Sequence, residues 1–117
     1  MRKYGFVVEG VHDQDKLAMV VPTAQFVVTE GTRFNNRISD AILDLICTCD
    51  RVYLLTDPDH AGDILAEMVN NEFPNLRRIR LAQSQCKCYR RGRIKIGVEH
   101  ASTEYLTKVL SNYIGKP

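Results

Sequence analysis

The strongest constraint on how this chain can fold is an alternation of two periodicities. Four short runs rich in β-branched and aromatic residues, Tyr4–Val8, Gln25–Thr29, Val52–Thr56 and Arg78–Ala82, read as strands. Between them, apolar residues recur at helical spacing. Ile38, Ala41, Ile42, Leu45 and Ile46 form one stripe, and Ala61, Ile64, Leu65, Met68 and Val69 form a second. Tyr105, Leu106, Val109, Leu110 and Tyr113 form a third, and a shorter helix is expected from Gln14 to Val21, stopped by Pro22. The order is β-α-β-α-β-α-β, then a basic irregular stretch, then a last helix. It predicts a parallel sheet of about four strands joined by right-handed crossovers. Gly5-Phe6-Val7-Val8 and Val52-Tyr53-Leu54-Leu55 are nearly continuous in apolar residues, as strands covered on both faces must be. The expected fold is a doubly wound α/β domain occupying residues 1–117 as a single unit.

Several classes are excluded on composition. The longest apolar run, Leu17–Val21, is five residues, whereas a membrane span needs about twenty. Glu9 interrupts what would have to be the apolar part of a secretory leader. Four cysteines are too few for a disulfide scaffold, so a cytoplasmic location with reduced thiols is expected. Cys47 and Cys49, like Cys86 and Cys88, are one residue apart, closer than the two to four residues that paired zinc ligands favour. The chain also lacks a glycine-rich phosphate loop of the kind that would suggest an ATPase.

In doubly wound sheets, chemistry collects beyond the carboxyl ends of the central strands. Glu9-Gly10 follows the first strand, and Asp57-Pro58-Asp59 follows the third, with Gly62 three residues on. If these strands are neighbours, three carboxylates meet at one edge, a costly arrangement unless a cation sits among them. An oxygen-only donor set suits a hard cation, magnesium first and manganese second. Gly10 and Gly62 would leave room for a backbone to approach a phosphate. The same residues admit a plainer reading, with Asp59 as a helix N-cap and Glu9 as a solvated loop acid.

Three motifs together resemble a known family. Glu9-Gly10-x-x-Asp13, Thr56-Asp57-Pro58-Asp59-x-x-Gly62 and Lys95-Ile96-Gly97-Val98-Glu99-His100-Ala101 look like the Toprim domain. That domain is shared by topoisomerases, bacterial primases, OLD-type nucleases and the maturase of 5S ribosomal RNA, and the first and last motifs resemble the maturase branch. The resemblance implies a Rossmann-like fold, Glu9 as general acid or base in phosphoryl transfer, and Asp57 and Asp59 as magnesium ligands, with Glu9 a candidate ligand as well. Manganese would be a substitute for magnesium. Gly10, Asp13, Gly62, Asp63, Glu99 and His100 fall at or near motif positions around that centre. The maturases continue into a C-terminal region that engages RNA, so a partner protein supplying specificity is also implied.

Charge points to a polyanion. Between Arg77 and Lys95 there are eight basic residues and no acidic one, while the rest of the chain has eight basic and fourteen acidic. Within this stretch Lys87, Tyr89, Arg90, Arg91, Arg93 and Lys95 are the candidate nucleic-acid contacts, the cations for phosphates and Tyr89 for stacking. The expected function is a magnesium-dependent nuclease, and the resemblance favours RNA over DNA as its polymer. Two rivals remain. One is a module that binds metal and nucleic acid without cleaving. The other is a receiver-type signalling domain, disfavoured because the first strand ends in Glu-Gly rather than an acidic pair.

Overall fold

The computed structural model describes residues 2–31 and 33–115. Strand β1 (Tyr4–Val8) is followed by α1 (Val11–Val20), β2 (Gln25–Val28), α2 (Asn36–Thr48), β3 (Arg51–Leu54), α3 (His60–Glu72) and β4 (Arg77–Arg78). A hairpin, β5 (Lys87–Arg90) and β6 (Arg93–Ile96), and the helix α4 (Thr103–Ile114) complete the order. The four parallel strands lie in the order β2-β1-β3-β4, with Phe6 beside Phe26 on one side and Tyr53 on the other. The chain leaves β1 in one direction and β3 in the other, so the topology reverses between these two strands.

That reversal also assigns the helices. Right-handed crossovers put α1 on one face of the sheet and α2 and α3 on the opposite face. Strand alternation then sorts the core. Phe6, Val8, Tyr53 and Leu55 pack with Leu17 and Val20 of α1 and Leu106 and Leu110 of α4. Val7 and Leu54 point the other way, against Ile38, Ile42 and Leu45 of α2 and Leu65, Ala66 and Val69 of α3. Side-chain caps begin three helices: Asn35 accepts from the Ile38 N–H, Asp59 from Gly62 and Ser102 from Tyr105. No helix among the described residues is long and apolar enough to cross a membrane.

Four local expectations need correction. Helix α1 starts at Val11 rather than Gln14, because Asp13 in its first turn accepts from the Gly10 N–H and lets the helix begin directly after β1. Strand β4 is shorter than expected, Arg77–Arg78, with one further bond from the Ile79 N–H to the Leu54 carbonyl at 2.8 Å. The buried face of α3 is rotated from the expected stripe, to Gly62, Leu65, Ala66 and Val69, leaving Ile64 42% exposed. The cause is Gly62: a Cβ there would lie 1.9 Å from the Asp57 carbonyl oxygen, so this side of the helix turns inward. Finally, the basic stretch is not irregular. It forms an antiparallel ribbon in which Arg90 faces Arg93 across Arg91-Gly92, both at positive φ (50° and 73°). Two consecutive positive φ angles match the twist of a two-residue hairpin, which glycine satisfies freely and arginine at some cost.

The rotated face of α3 predicts unequal costs for neighbouring truncations. Leu65→Ala should destabilise the fold by about 2–5 kcal/mol, whereas Ile64→Ala should stay within about 1 kcal/mol. Urea denaturation measures both, and equal losses would restore the stripe read from the sequence.

Candidate active site

Glu9 is the first residue beyond β1, and Asp57 lies just beyond β3, so the topological switch brings the two together. The Asp57 N–H donates to Glu9 Oε1 at 3.2 Å. Both carboxylates sit in a cleft of about 250 Å³ lined by Glu9, Gly10, Asp13, Asp57, Gly97 and Glu99, among others. A larger, more apolar groove between Leu43, Ile46, Phe73 and Pro74 lies away from these carboxylates.

The segment after the hairpin closes the cleft. The Val98 N–H donates to Asp57 Oδ1 at 2.9 Å, and the Glu99 N–H donates to Asp13 Oδ1 at 3.1 Å. Asp13 Oδ2 accepts from the Gly10 N–H, so this buried carboxylate ties α1, the end of β1 and the 98–100 turn into one unit. Gly97 passes close to Asp57: a Cβ built on it would lie 3.6 Å from Asp57 Oδ1. His100 Nε2 lies 3.3 Å from Glu99 Oε1.

The residues singled out in the sequence divide into two groups. Glu9, Asp13, Asp57 and Glu99 converge on the cleft, with Gly10 beside them. Asp59 stands in the same turn, but its Oδ1 accepts the Gly62 N–H at 2.7 Å and caps α3. Gly62 leaves room for the chain's own Asp57 carbonyl rather than for a ligand. Asp63 is turned to the outside, where its carboxylate pairs with Arg78 at 2.7 Å and is held below the usual aspartate range. Among the described residues, no three His, Cys, Asp or Glu side chains stand close enough to form a ready-made metal cage.

Sequence reasoning missed Arg78 as part of this architecture. Its side chain is only 11% exposed and donates to the Asp57 carbonyl at 3.2 Å as well as to Asp63. It clamps the Asp57–Asp59 turn from below. Arg77 lies over the Tyr113 ring, 4.7 Å from its centroid. Two cations of the basic run are therefore engaged in internal contacts. The remaining candidates lie on the hairpin, where Lys87, Tyr89, Arg90, Arg91, Arg93 and Lys95 are all exposed.

Crowding of acids governs the electrostatics. Burial, the Asp57 charge and a hydrogen bond to its carboxylate push Glu9 up from 4.5 to about 8. Burial and then the Asp57 charge raise Asp13 from 3.8 to about 6. Asp57 is also raised, by burial, against the opposing pull of the Val98 N–H. Burial, with Asp57 and Asp13, pushes the Cys86 thiol up to about 11, which keeps it protonated and unreactive at neutral pH.

The fold and the cleft define a doubly wound α/β protein with a carboxylate centre at its topological switch point. The sequence matches the Toprim domain family over residues 5–91, and the chain belongs to that family. It is 30% identical over 106 residues to Ribonuclease M5 of Bacillus subtilis (strain 168), and 26% identical over the same length to Ribonuclease M5 of Bacillus anthracis. Each match covers 91% of this chain and 55% of the relative, so the chain spans about half the length of the curated relatives it matches. Among solved structures, a small TOPRIM domain protein from Bacillus stearothermophilus superposes with a TM-score of 0.75 at 26% identity. That match covers 97% of this chain and 90% of the other.

The raised carboxyl groups predict a pH-dependent stability for the metal-free chain. Between about pH 4.5 and pH 8 the unfolded chain has released the Glu9 proton while the folded chain retains it, so stability falls as pH rises through this window. The slope is at most about 1.4 kcal/mol per pH unit for each such proton. Asp13 adds to it between 3.8 and about 6. Denaturation in chelator should show this decline, and Glu9→Gln should flatten its upper part. A wild-type profile that is level from pH 6 to pH 8 would contradict the buried-acid reading.

Proposed function

We propose that this chain is a divalent-metal-dependent Toprim phosphodiesterase that cleaves structured RNA. The observation that carries the reading is the Glu9–Asp57 pair, a buried and a half-buried carboxyl group side by side at the sheet's switch point, with the Asp57 N–H donating to Glu9. Two features of the site fit a hard cation. The donors are all oxygen, and the cost of crowding Glu9 against Asp57 is relieved by positive charge. Asp57 and Asp59 would hold magnesium or manganese beside Glu9, Asp59 through the carboxylate oxygen that does not cap α3. The bound ion would supply Lewis-acid stabilisation of the charge that grows on the phosphate oxygens.

The remaining chemistry belongs to the chain. Glu9, beside Asp57, is placed to handle one proton of the reaction, giving it to the departing oxygen when protonated or taking it from the attacking one when ionised. The Val98 N–H keeps one Asp57 oxygen oriented, and Arg78 and Gly62 fix the backbone of that turn. The hairpin provides the polymer contact. By strand alternation Cys88, Arg90, Arg93 and Lys95 share one face, and Lys87, Tyr89, Ile94 and Ile96 share the other. Tyr89 is 74% exposed beside an exposed Ile94, which suits stacking on a base. The name Ribonuclease M5 on the curated relatives supports RNA as the polymer.

Glu9→Gln should leave RNA affinity nearly intact and lower cleavage about a hundredfold to ten-thousandfold. Asp57→Asn should lose manganese binding, measured by calorimetry, while remaining folded. Wild-type protein that binds RNA and manganese yet cleaves no nucleic acid would leave a binding module in place of a nuclease.

The exposed cations make a separate prediction. Each phosphate contact contributes about 0.7–0.9 to the slope of log affinity against log salt. Changing Lys87, Arg90, Arg91 and Arg93 together to Ala should therefore flatten that slope by about three. The change should be similar across sequences, since backbone contacts position a polymer without reading bases. A salt titration that overlays the wild-type line would remove the hairpin from the interface.

A further inference from the structure

A second cleft, of about 460 Å³, opens between α1 and the hairpin, in the size range of small-ligand sites. His12, Lys16 and Met19 of α1 form one wall, at i, i+4 and i+7, while Asp13, Leu17 and Val20 on the other side of that helix are buried. Cys88 and Arg90, neighbours on one face of β5, contribute to the other wall. Shared lining residues connect this space to its surroundings. His12 and Glu99 border both it and the carboxylate cleft, and Arg90 borders both it and the groove lined by Arg91, Arg93 and Lys95. The three spaces form one track from Glu9 and Asp57 to the tip of the hairpin.

Charge along the track changes in a telling way. The carboxylate cleft is lined by Glu9, Asp13, Asp57 and Glu99 and by no lysine or arginine. In the adjoining cleft, Lys16 and Arg90 stand on opposite walls, and among the described residues neither is part of an ion pair. Met19, 69% exposed at the rim, offers a soft apolar surface of the kind that packs against aromatic rings. Asp15 also lines the cleft and opposes an anion there.

We propose that the cleft between α1 and the hairpin is a nucleotide subsite for the residue next to the scissile linkage. Lys16 and Arg90 grip that residue's phosphate from both walls, and Met19 packs against its base. The polymer then continues along the cationic face of the hairpin. This assignment rests on the nucleic-acid reading above and extends it to residues on α1 that no motif marks.

The test is a fluorescence titration of a labelled hairpin RNA over a range of salt, in calcium to bypass turnover. Lys16→Ala should weaken binding about tenfold, the loss of one charge-assisted hydrogen bond, and lower the salt slope by about one. Lys16→Arg should restore most of the affinity. Asp15→Asn should tighten binding, an opposite sign from the adjacent residue. Lys108→Ala on the exposed side of α4 should change little. If the wild type binds RNA tightly but Lys16→Ala matches it, or if Lys108→Ala weakens binding as much, the subsite is wrong and the hairpin contact stands. Wild-type protein that binds no RNA removes the subsite together with the reading beneath it.

Discussion

Two acids held side by side beyond the carboxyl ends of β1 and β3, Glu9 buried and Asp57 half-buried, are the constraint on which the rest of the structure depends. Glu9 and Asp57 are 48 residues apart and meet because β1 and β3 are adjacent parallel strands whose carboxyl ends share one edge. Unsupported, such a pair would be expelled to solvent or would pull the strand ends apart. Backbone donors hold it in place instead. The Asp57 N–H serves Glu9, the Val98 N–H serves Asp57, and the Gly10 and Glu99 N–H groups serve Asp13. The surrounding loops are organised around these donors, which explains why the turn after β6 returns to the sheet before α4 begins.

The same constraint accounts for features at some distance from the carboxylates. Asp57 can approach Glu9 only if its own carbonyl is accommodated, and that oxygen is received by Gly62 and by Arg78. Gly62 then sets the rotation of α3, and with it which side of that helix joins the core. Arg78, held by Asp63 on one side and the Asp57 carbonyl on the other, is engaged in internal contacts. The positive charge of residues 77–95 is thus split by the fold. Arg77 and Arg78 stabilise the sheet edge, and the hairpin carries its cations outward.

The switch point and the hairpin are physically complementary. A cleft lined by carboxylates repels a phosphate backbone until positive charge compensates it, while the exposed arginines of the ribbon attract the same backbone over a longer range. Antiparallel pairing separates Arg90 and Arg93 from Tyr89 and Ile94, which share the other face with Lys87 and Ile96. The carboxyl end of β6 meets the site, since Ile96 borders the carboxylate cleft and Gly97 passes beside Asp57.

Much of this was legible in the linear order. The alternating periodicities of strands and helices determined a parallel, doubly wound sheet, because a strand buried on both faces and an amphipathic helix leave few other ways to cover apolar surface. They also placed Glu9 and Asp57 at strand ends. The hairpin was not legible: most of its side chains are exposed on either face, so no alternation of apolar and polar residues marks it, and its turn shows only one glycine. Nor were the roles of Asp13, Val98 and Arg78, since each depends on a side chain meeting a backbone group 21 to 86 residues away. Sequence alone determined the helices and the parallel strands of the sheet and placed Glu9 and Asp57 at strand ends, because these follow from local periodicity. Only the tertiary structure decided which of those acids are buried together, which one caps a helix, and which cations remain free, because those outcomes depend on contacts between segments that no local pattern encodes.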